Sequence, residues 1–340
     1  MALLALCACG EAPDPPWLLG ETPRVLAFRT EVVEPGPLSY GLLPIPADRV
    51  RDEALPGDAV RVSAWVVSAD REYETAELDP MWLLCPHDAG CLGSLSREPE
   101  PCGDTVPEFE ACLISRDAAP EFVMPPLADD VPLLGQRWVR VLMVGHVDDD
   151  VTTEDCLDIV AGRDATGWDR CVVGSHGVAQ GPAARLYAAA LEQGIEVPEG
   201  GYVDTEVPVL PHYGPEVVPL TLMPVYRDAP PDVTRTVRAP PGQVTELEPG
   251  AVFMFHEWFD PRDEQERTVL DQDGWLSSES FRPTLIVATG TPDLIRYHGD
   301  SAKYRLWAPE EPGRYTVHLT LTTPGGGSAW GTFEFEVRAP

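Results

Sequence analysis

Prolines and glycines, 37 and 29 of them, interrupt this 340-residue chain every few positions. A proline inside a helix removes a hydrogen bond and clashes with the preceding turn, and an interior glycine weakens the helix. Such punctuation favours short strands joined by turns over long helices. Hydrophobic residues still make up 44% of the chain, which is enough for packed cores and too many for disorder. The length predicts about two domains.

The apolar residues fall where strands would need them. "PRVLAFRTEVVEPG" (23–36) alternates apolar and polar residues and stops at Pro35-Gly36. In "GDAVRVSAWVVSAD" (57–70), Val60, Val62, Ala64 and Val66 share one face. "DPMWLLC" (79–85) is more fully apolar and suits a central strand with a buried Trp82. Further strands are expected at 121–127, 137–145 and 216–227, an order that fits an immunoglobulin-type β-sandwich. Between them, "TTEDCLDIVAG" and "GPAARLYAAALEQG" carry helix start and stop signals. They are expected to form a helical insertion at about 150–200, with Ser175 and His176 in a loop.

The C-terminal text is clearer. Tyr315, Val317, Leu319 and Leu321 alternate with polar residues, and Phe333, Phe335 and Val337 do the same after a Pro-Gly-Gly-Gly turn. The expected organisation is mainly β: one sandwich over 23–239 with the helical insertion, and a second over 240–340 after the "RAPPG" junction.

Six cysteines remain once the N-terminal pair, Cys7 and Cys9, is set aside: Cys85, Cys91, Cys102, Cys112, Cys156 and Cys171. An even set suits three disulfides, with 15 pairings in principle. No close C-x2-C pair supports a zinc site. Local loop closure favours Cys85–Cys91, Cys102–Cys112 and Cys156–Cys171.

The N-terminus carries an address. Ala2 to Ala8 is a short apolar run, and Leu6-Cys7-Ala8-Cys9 resembles the bacterial lipobox, whose final cysteine is lipidated. By that resemblance 1–8 is a signal peptide remnant, Cys9 the acylated residue, and 9–22 a proline-rich tether. The formal charge of −32 argues against nucleic acid as a partner, since the chain could release no counterions from a phosphate backbone. The expected partners are a membrane, through the anchor, and a protein or glycan ligand. The expected location is the cell envelope, at the outer membrane.

The first strands, with Pro23 to Ala27, Pro56-Gly57, and Trp82 followed by Cys85, resemble the opening of Ig-like lipoproteins of GC-rich Gram-negative gliding bacteria. Trp307, Pro309, Pro312, Gly313, Tyr315 and Val317 form a pattern that resembles PKD and related Ig-like surface domains. These resemblances imply a surface lipoprotein with a structural, adhesive or binding role, not an enzyme.

Motifs for chemistry are weak. "HEWFD" (256–260) has Asp260 where a zincin needs its second histidine, and its apolar flanks predict a strand rather than the required helix. "VGSHG" (173–177) has Val173 where a nucleophile elbow needs glycine. Acidic clusters at 148–150 with Glu154 and Asp155, and at 271–274, offer oxygen ligands for calcium, although the second fails the EF-hand template. Trp258, Trp275 and Trp330 are the candidates for a carbohydrate-binding face, and a hydrolase on an all-β scaffold is the other alternative. No catalytic residue, metal ligand or cofactor is assigned.

Overall fold

A computed structural model describes residues 17–86, 91–103, 107, 110–126, 137–164, 166–194, 210–225, 236–270, 276–298, 303–323 and 326–338. The first part of the chain forms β1 (Arg24–Glu34), β2 (Ala59–Val67), β3 (Glu72–Tyr73), β4 (Met81–Leu84), β5 (Cys112–Ser115), β6 (Glu121–Val123), β7 (Arg137–His146) and β8 (Cys171–Gln180). Helix α1 (Thr153–Val160) lies between β7 and β8, and α2 (Ala183–Gln193) follows β8. The second part forms β9 (Val217–Pro224), β10 (Val237–Ala239), β11 (Val244–Leu247), β12 (Val252–Phe259), β13 (Gln265–Leu270) and β14 (Leu276–Phe281). It continues with β15 (Thr284–Ala288), β16 (Ile295–His298), β17 (Lys303–Trp307), β18 (Gly313–Thr322) and β19 (Ser328–Val337). The protein is mainly β, and its sheets are antiparallel apart from the β11–β19 pair.

In the first sandwich β1, β2, β3 and β6 face a sheet ordered β5-β4-β7-β8. Val60, Val62, Ala64 and Val66 enter the core from β2, as their alternation requires. Trp82 is fully buried opposite them, edge-on to Phe28 at 6.0 Å between ring centroids. On the outer side of the β4-β7-β8 sheet, α1 packs Leu157, Ile159 and Val160 against Met81, Leu83 and Leu142. That helix begins with a reciprocal cap, since Thr152 accepts the Asp155 N–H and Asp155 accepts the Thr152 N–H.

The cysteines pair as loop length favours: Cys85–Cys91, Cys102–Cys112 and Cys156–Cys171. The last closes 15 residues and ties α1 to the start of β8. Replacing both of its cysteines by alanine is expected to cost about 3 kcal/mol on the chain-entropy account. A urea titration beside the parent protein measures this. An unchanged midpoint would show that α1 is held by its apolar face alone.

The second sandwich packs the sheet β10-β9-β12-β17-β16 on the sheet β11-β19-β18-β15. Leu220, Leu222, Phe253, Phe255 and Leu306 meet Val317, Leu319, Phe333, Phe335 and Val337 across the core. The boundary at 239/240 is therefore corrected. β9 and β10 lie before it in sequence, yet β9 sits between β10 and β12 in this sheet. Nothing local in "EVVPLTLMPVYR" says which sheet will accept it.

Two further expectations are corrected. Residues 150–200 are not an insertion, because β8 lies between the two helices and pairs with β7 over ten consecutive residues, from His146↔Cys171 to Arg137↔Gln180. Ser175 and His176 sit inside that strand rather than in a loop. The sequence conceals the strand because Gly174 and Gly177 interrupt the alternation. Neither position has room for a side chain: a β-carbon at Gly174 would lie 2.6 Å from the Phe28 ring, and one at Gly177 would lie 2.8 Å from the Trp138 ring. The expected tether at 9–22 is also shorter. Trp17 to Gly20 dock on the body, with the Leu19 N–H donating to the Thr289 carbonyl at 2.8 Å and the Ala69 N–H donating to that of Gly20 at 2.9 Å.

Candidate functional site at the junction of the two sandwiches

The connection from β1 to β2 carries the run "DRVRDEALPGD" (48–58), and most of its charges are buried. Asp58 is fully buried and accepts four hydrogen bonds: from the Gly36 N–H (2.6 Å), Ser39 Oγ (2.6 Å), the Leu55 N–H (2.6 Å) and Arg51 Nη2 (2.7 Å). Burial draws the Arg51 guanidinium below its ordinary value, and Asp58 is the foremost of the charges opposing that loss. The segment closes on itself before it meets the second sandwich.

Its other charges cross the junction. Asp52 Oδ1 lies 2.9 Å from His212 Nδ1, and Asp52 Oδ2 accepts from the Thr323 hydroxyl at 3.0 Å. Glu53 accepts the His212 backbone N–H at 3.2 Å. Arg49 pairs with Glu216, with Asp260 at 3.2 Å and with Asp263 at 3.1 Å. Arg262 grips Asp260 at 2.7 Å and Asp48 at 3.0 Å. Hydrogen bonds from Arg262, more than any other cause, hold the Asp260 carboxyl down at about 2, whereas burial pushes Asp263 above its usual range. Beside this seam Trp65 stacks on Trp330, with ring centroids 5.8 Å apart and planes inclined by 7°.

An Asp, a His and a Thr in contact invite a comparison with a nucleophilic triad, and the geometry rejects it. In such a triad the hydroxyl bonds to the histidine so that the ring can take its proton. Here Thr323 donates to the carboxylate instead, and His212 is 4% exposed. These contacts tie the first sandwich to the segment before β9 and to the β18–β19 turn, and so fix the two modules against each other.

Beside the seam lies an open cleft of about 650 Å³. Its walls come from Val25 to Phe28 of β1, from Gly174 to Gly177 of β8, and from the β18–β19 turn at Thr322, Thr323 and Gly326. Trp138 and Arg140 of β7 complete it. His176 stacks on Phe28 at 5.3 Å, and its Nε2 lies 2.8 Å from the hydroxyl of buried Thr30. Burial lowers its pKa to about 4, so the ring is neutral near pH 7.

The residues singled out from sequence are not gathered at this junction. His256 is an exposed residue of β12, and Asp260 follows that strand and belongs to the Arg262 pair. Trp330 is covered by Trp65, and Trp258 packs partly buried against the second core. Asp148 accepts the Asp150 N–H at 3.0 Å, and Asp155 is engaged in the α1 cap. Cys9, Trp275 and the cluster at 271–274 lie outside the described residues. Among the described residues no group of three or more His, Cys, Asp or Glu side chains is placed to hold a metal ion. Sequence reading missed Arg49, Arg51, Asp52, Asp58, His212 and Thr323, because charges at such density ordinarily face water.

No protein-family model matches the chain. No curated protein matches it either. Among solved structures, the crystal structure of dimeric latent PorU from Porphyromonas gingivalis aligns with 92% of this chain at 12% identity and a TM-score of 0.18. The chain spans 24% of that protein's length, and a likeness at this TM-score carries no argument.

Proposed function

We propose that this is an exported cell-envelope protein, anchored in the outer membrane by lipid on Cys9, with a structural, adhesive or binding role rather than a catalytic one. The observation that carries the reading is the pairing of the six cysteines between 85 and 171 into three local disulfides, a pattern that belongs to oxidising compartments. The lipobox resemblance of Leu6 to Cys9 adds the anchor. Support for a binding body comes from the locked junction, which would hold the cleft in one shape, and preorganisation lowers the cost of binding.

The expected result is that envelope-derived protein carries acyl chains on Cys9 and that Cys9→Ser moves it to the soluble fraction. Two or more chains, at about 0.8 kcal/mol per buried CH₂, make such an anchor stable. Growth with an alkyne fatty acid, followed by mass spectrometry of the N-terminal peptide, reads this directly. An unmodified Cys9 in envelope-derived protein would sink the anchor.

A further inference from the structure

The two outer faces of the second sandwich differ. That of the β11-β19-β18-β15 sheet is covered by the first sandwich, where Trp330 and Ala288 meet Ala27 and Trp65. The outer face of the β10-β9-β12-β17-β16 sheet has no such cover. The main contacts of β9, β12, β16 and β17 with described elements lie within that sheet and with the core beneath it. Alternation decides what the open face carries. Leu222, Phe253, Phe255, Ile295 and Leu306 enter the core, so Met223, Val252, Met254, Arg296, Arg305 and Trp307 point away from it.

Register sets Arg296 directly opposite Arg305, Arg305 opposite Met254, and Met254 opposite Met223, one row across four strands. Like charges directly opposite each other on adjacent strands destabilise a sheet. The Arg296 guanidinium lies over the Trp307 ring at 4.2 Å, and its ion pair is with Asp293 at 3.5 Å, both side chains being largely exposed. Arg305 has no ion pair among the described residues. Arg238, opposite Thr221 at the other edge, is exposed and also has none. Glu257 enters the ladder beyond the β12 bulge, opposite Thr221. The chain has 56 acidic and 24 basic residues, so unpaired arginines around a tryptophan and two methionines stand out from its surface. That combination suits an anionic layer with an apolar layer beneath it.

The proposed anchor brings such a surface near. Trp17 packs on the second core, and its carbonyl accepts the N–H of Thr289, which lies between β15 and the edge strand β16. Eight residue steps separate Cys9 from Trp17. Even fully extended, they keep a lipid on Cys9 within roughly 28 Å of Trp17.

We propose that this sheet face lies on the bilayer, with Arg296, Arg305 and Arg238 on lipid phosphates and Trp307, Met254 and Met223 among the head groups. Arginine forks match phosphate oxygens, and a phosphate between Arg296 and Arg305 relieves their repulsion. This inference rests on the envelope location proposed above. Its test imposes the anchor chemically, so it reads the face whether or not the cell acylates Cys9.

The full chain carrying Cys7→Ser is coupled through Cys9 to a maleimide lipid in vesicles, since the disulfide cysteines do not react. The vesicles hold phosphatidylcholine alone or an equal mixture with phosphatidylglycerol. Brief peroxide treatment and peptide mass spectrometry then read methionine sulfoxide at each position. On the anionic vesicles Met223 and Met254 should oxidise more slowly than in uncoupled protein, by about threefold or more. Met81, Met124 and Met143 are buried in the first sandwich and serve as references. Phosphatidylcholine vesicles should protect only slightly, and inorganic phosphate not at all. Arg296→Glu with Arg305→Glu should abolish the protection and keep the thermal transition. Arg296→Gln with Arg305→Gln, a milder change, should reduce the protection and gives the reading if the charge reversal impairs folding. The proposal is overturned if both methionines oxidise equally on anionic vesicles and in free solution, or if phosphatidylcholine protects as well. Protection that survives loss of both arginines would overturn it too. Protection by polyglutamate but not by vesicles would replace the membrane with an acidic protein partner.

Discussion

Asp58→Ala is expected to destabilise the protein by about 3–5 kcal/mol, because it strips a buried guanidinium of its counter-charge. Asp58 accepts from two backbone N–H groups, from Ser39 and from Arg51, so the change also leaves several buried donors without an acceptor. Unpaired buried donors carry their full desolvation cost. The two residues are only seven apart, and the pair folds the 48–58 run into the shape that delivers Asp52 to His212 and Ala54 to β8. Urea titration gives the size of the loss. Combining Asp58→Ala with Arg51→Met should recover part of it, since removing both partners removes the uncompensated charge. As a comparison, Glu121→Ala breaks the half-exposed Arg61 pair and should leave stability nearly unchanged. A change at Asp58 no larger than the one at Glu121 would refute the assignment of the run as a structural clamp.

Acid is expected to weaken the fold through His176 well before the carboxylates are neutralised. The sign follows from the depressed value. In the unfolded chain the ring takes its proton near pH 6.5, and in the folded protein only near pH 4. As pH falls through that window the unfolded state binds more protons, so the stability that the neutral His176 ring contributes drops, and its loss is complete below about pH 4. At 1.36 kcal/mol per unit, the difference amounts to about 3 kcal/mol. His318, whose pKa is lowered by burial in spite of Glu72, adds in the same direction. Asp260, held at about 2, contributes its own loss only at lower pH. Urea midpoints at about pH 7.5 and about pH 4.5 measure the drop, and His176→Gln should remove most of it. An equal drop in the variant would assign the acid sensitivity to other groups.

The amino-acid sequence by itself determined the parts of this protein that neighbours along the chain can specify. Val60, Val62, Ala64 and Val66 reach the core because a strand puts alternate residues on one face, and the same rule places Val317, Leu319, Phe333 and Phe335. The α1 cap needs only Thr152 and Asp155, three residues apart. The disulfides follow from short loops whose closure is entropically easy. Tertiary structure decided the rest, and it did so through partners far away in sequence. β8 is a strand because β7 offers it ten residues of register, against the local voice of Gly174 and Gly177. β9 joins the second sandwich because β12 and β10 accept its edges. The charges of "DRVRDE" are buried because acceptors and donors reach them from His212, Glu216, Asp263 and Thr323. Those residues lie more than 150 positions along the chain, where no periodicity or short motif can register them. A charged run is ordinarily solvated, and only a complete set of opposite partners makes its burial affordable in free energy.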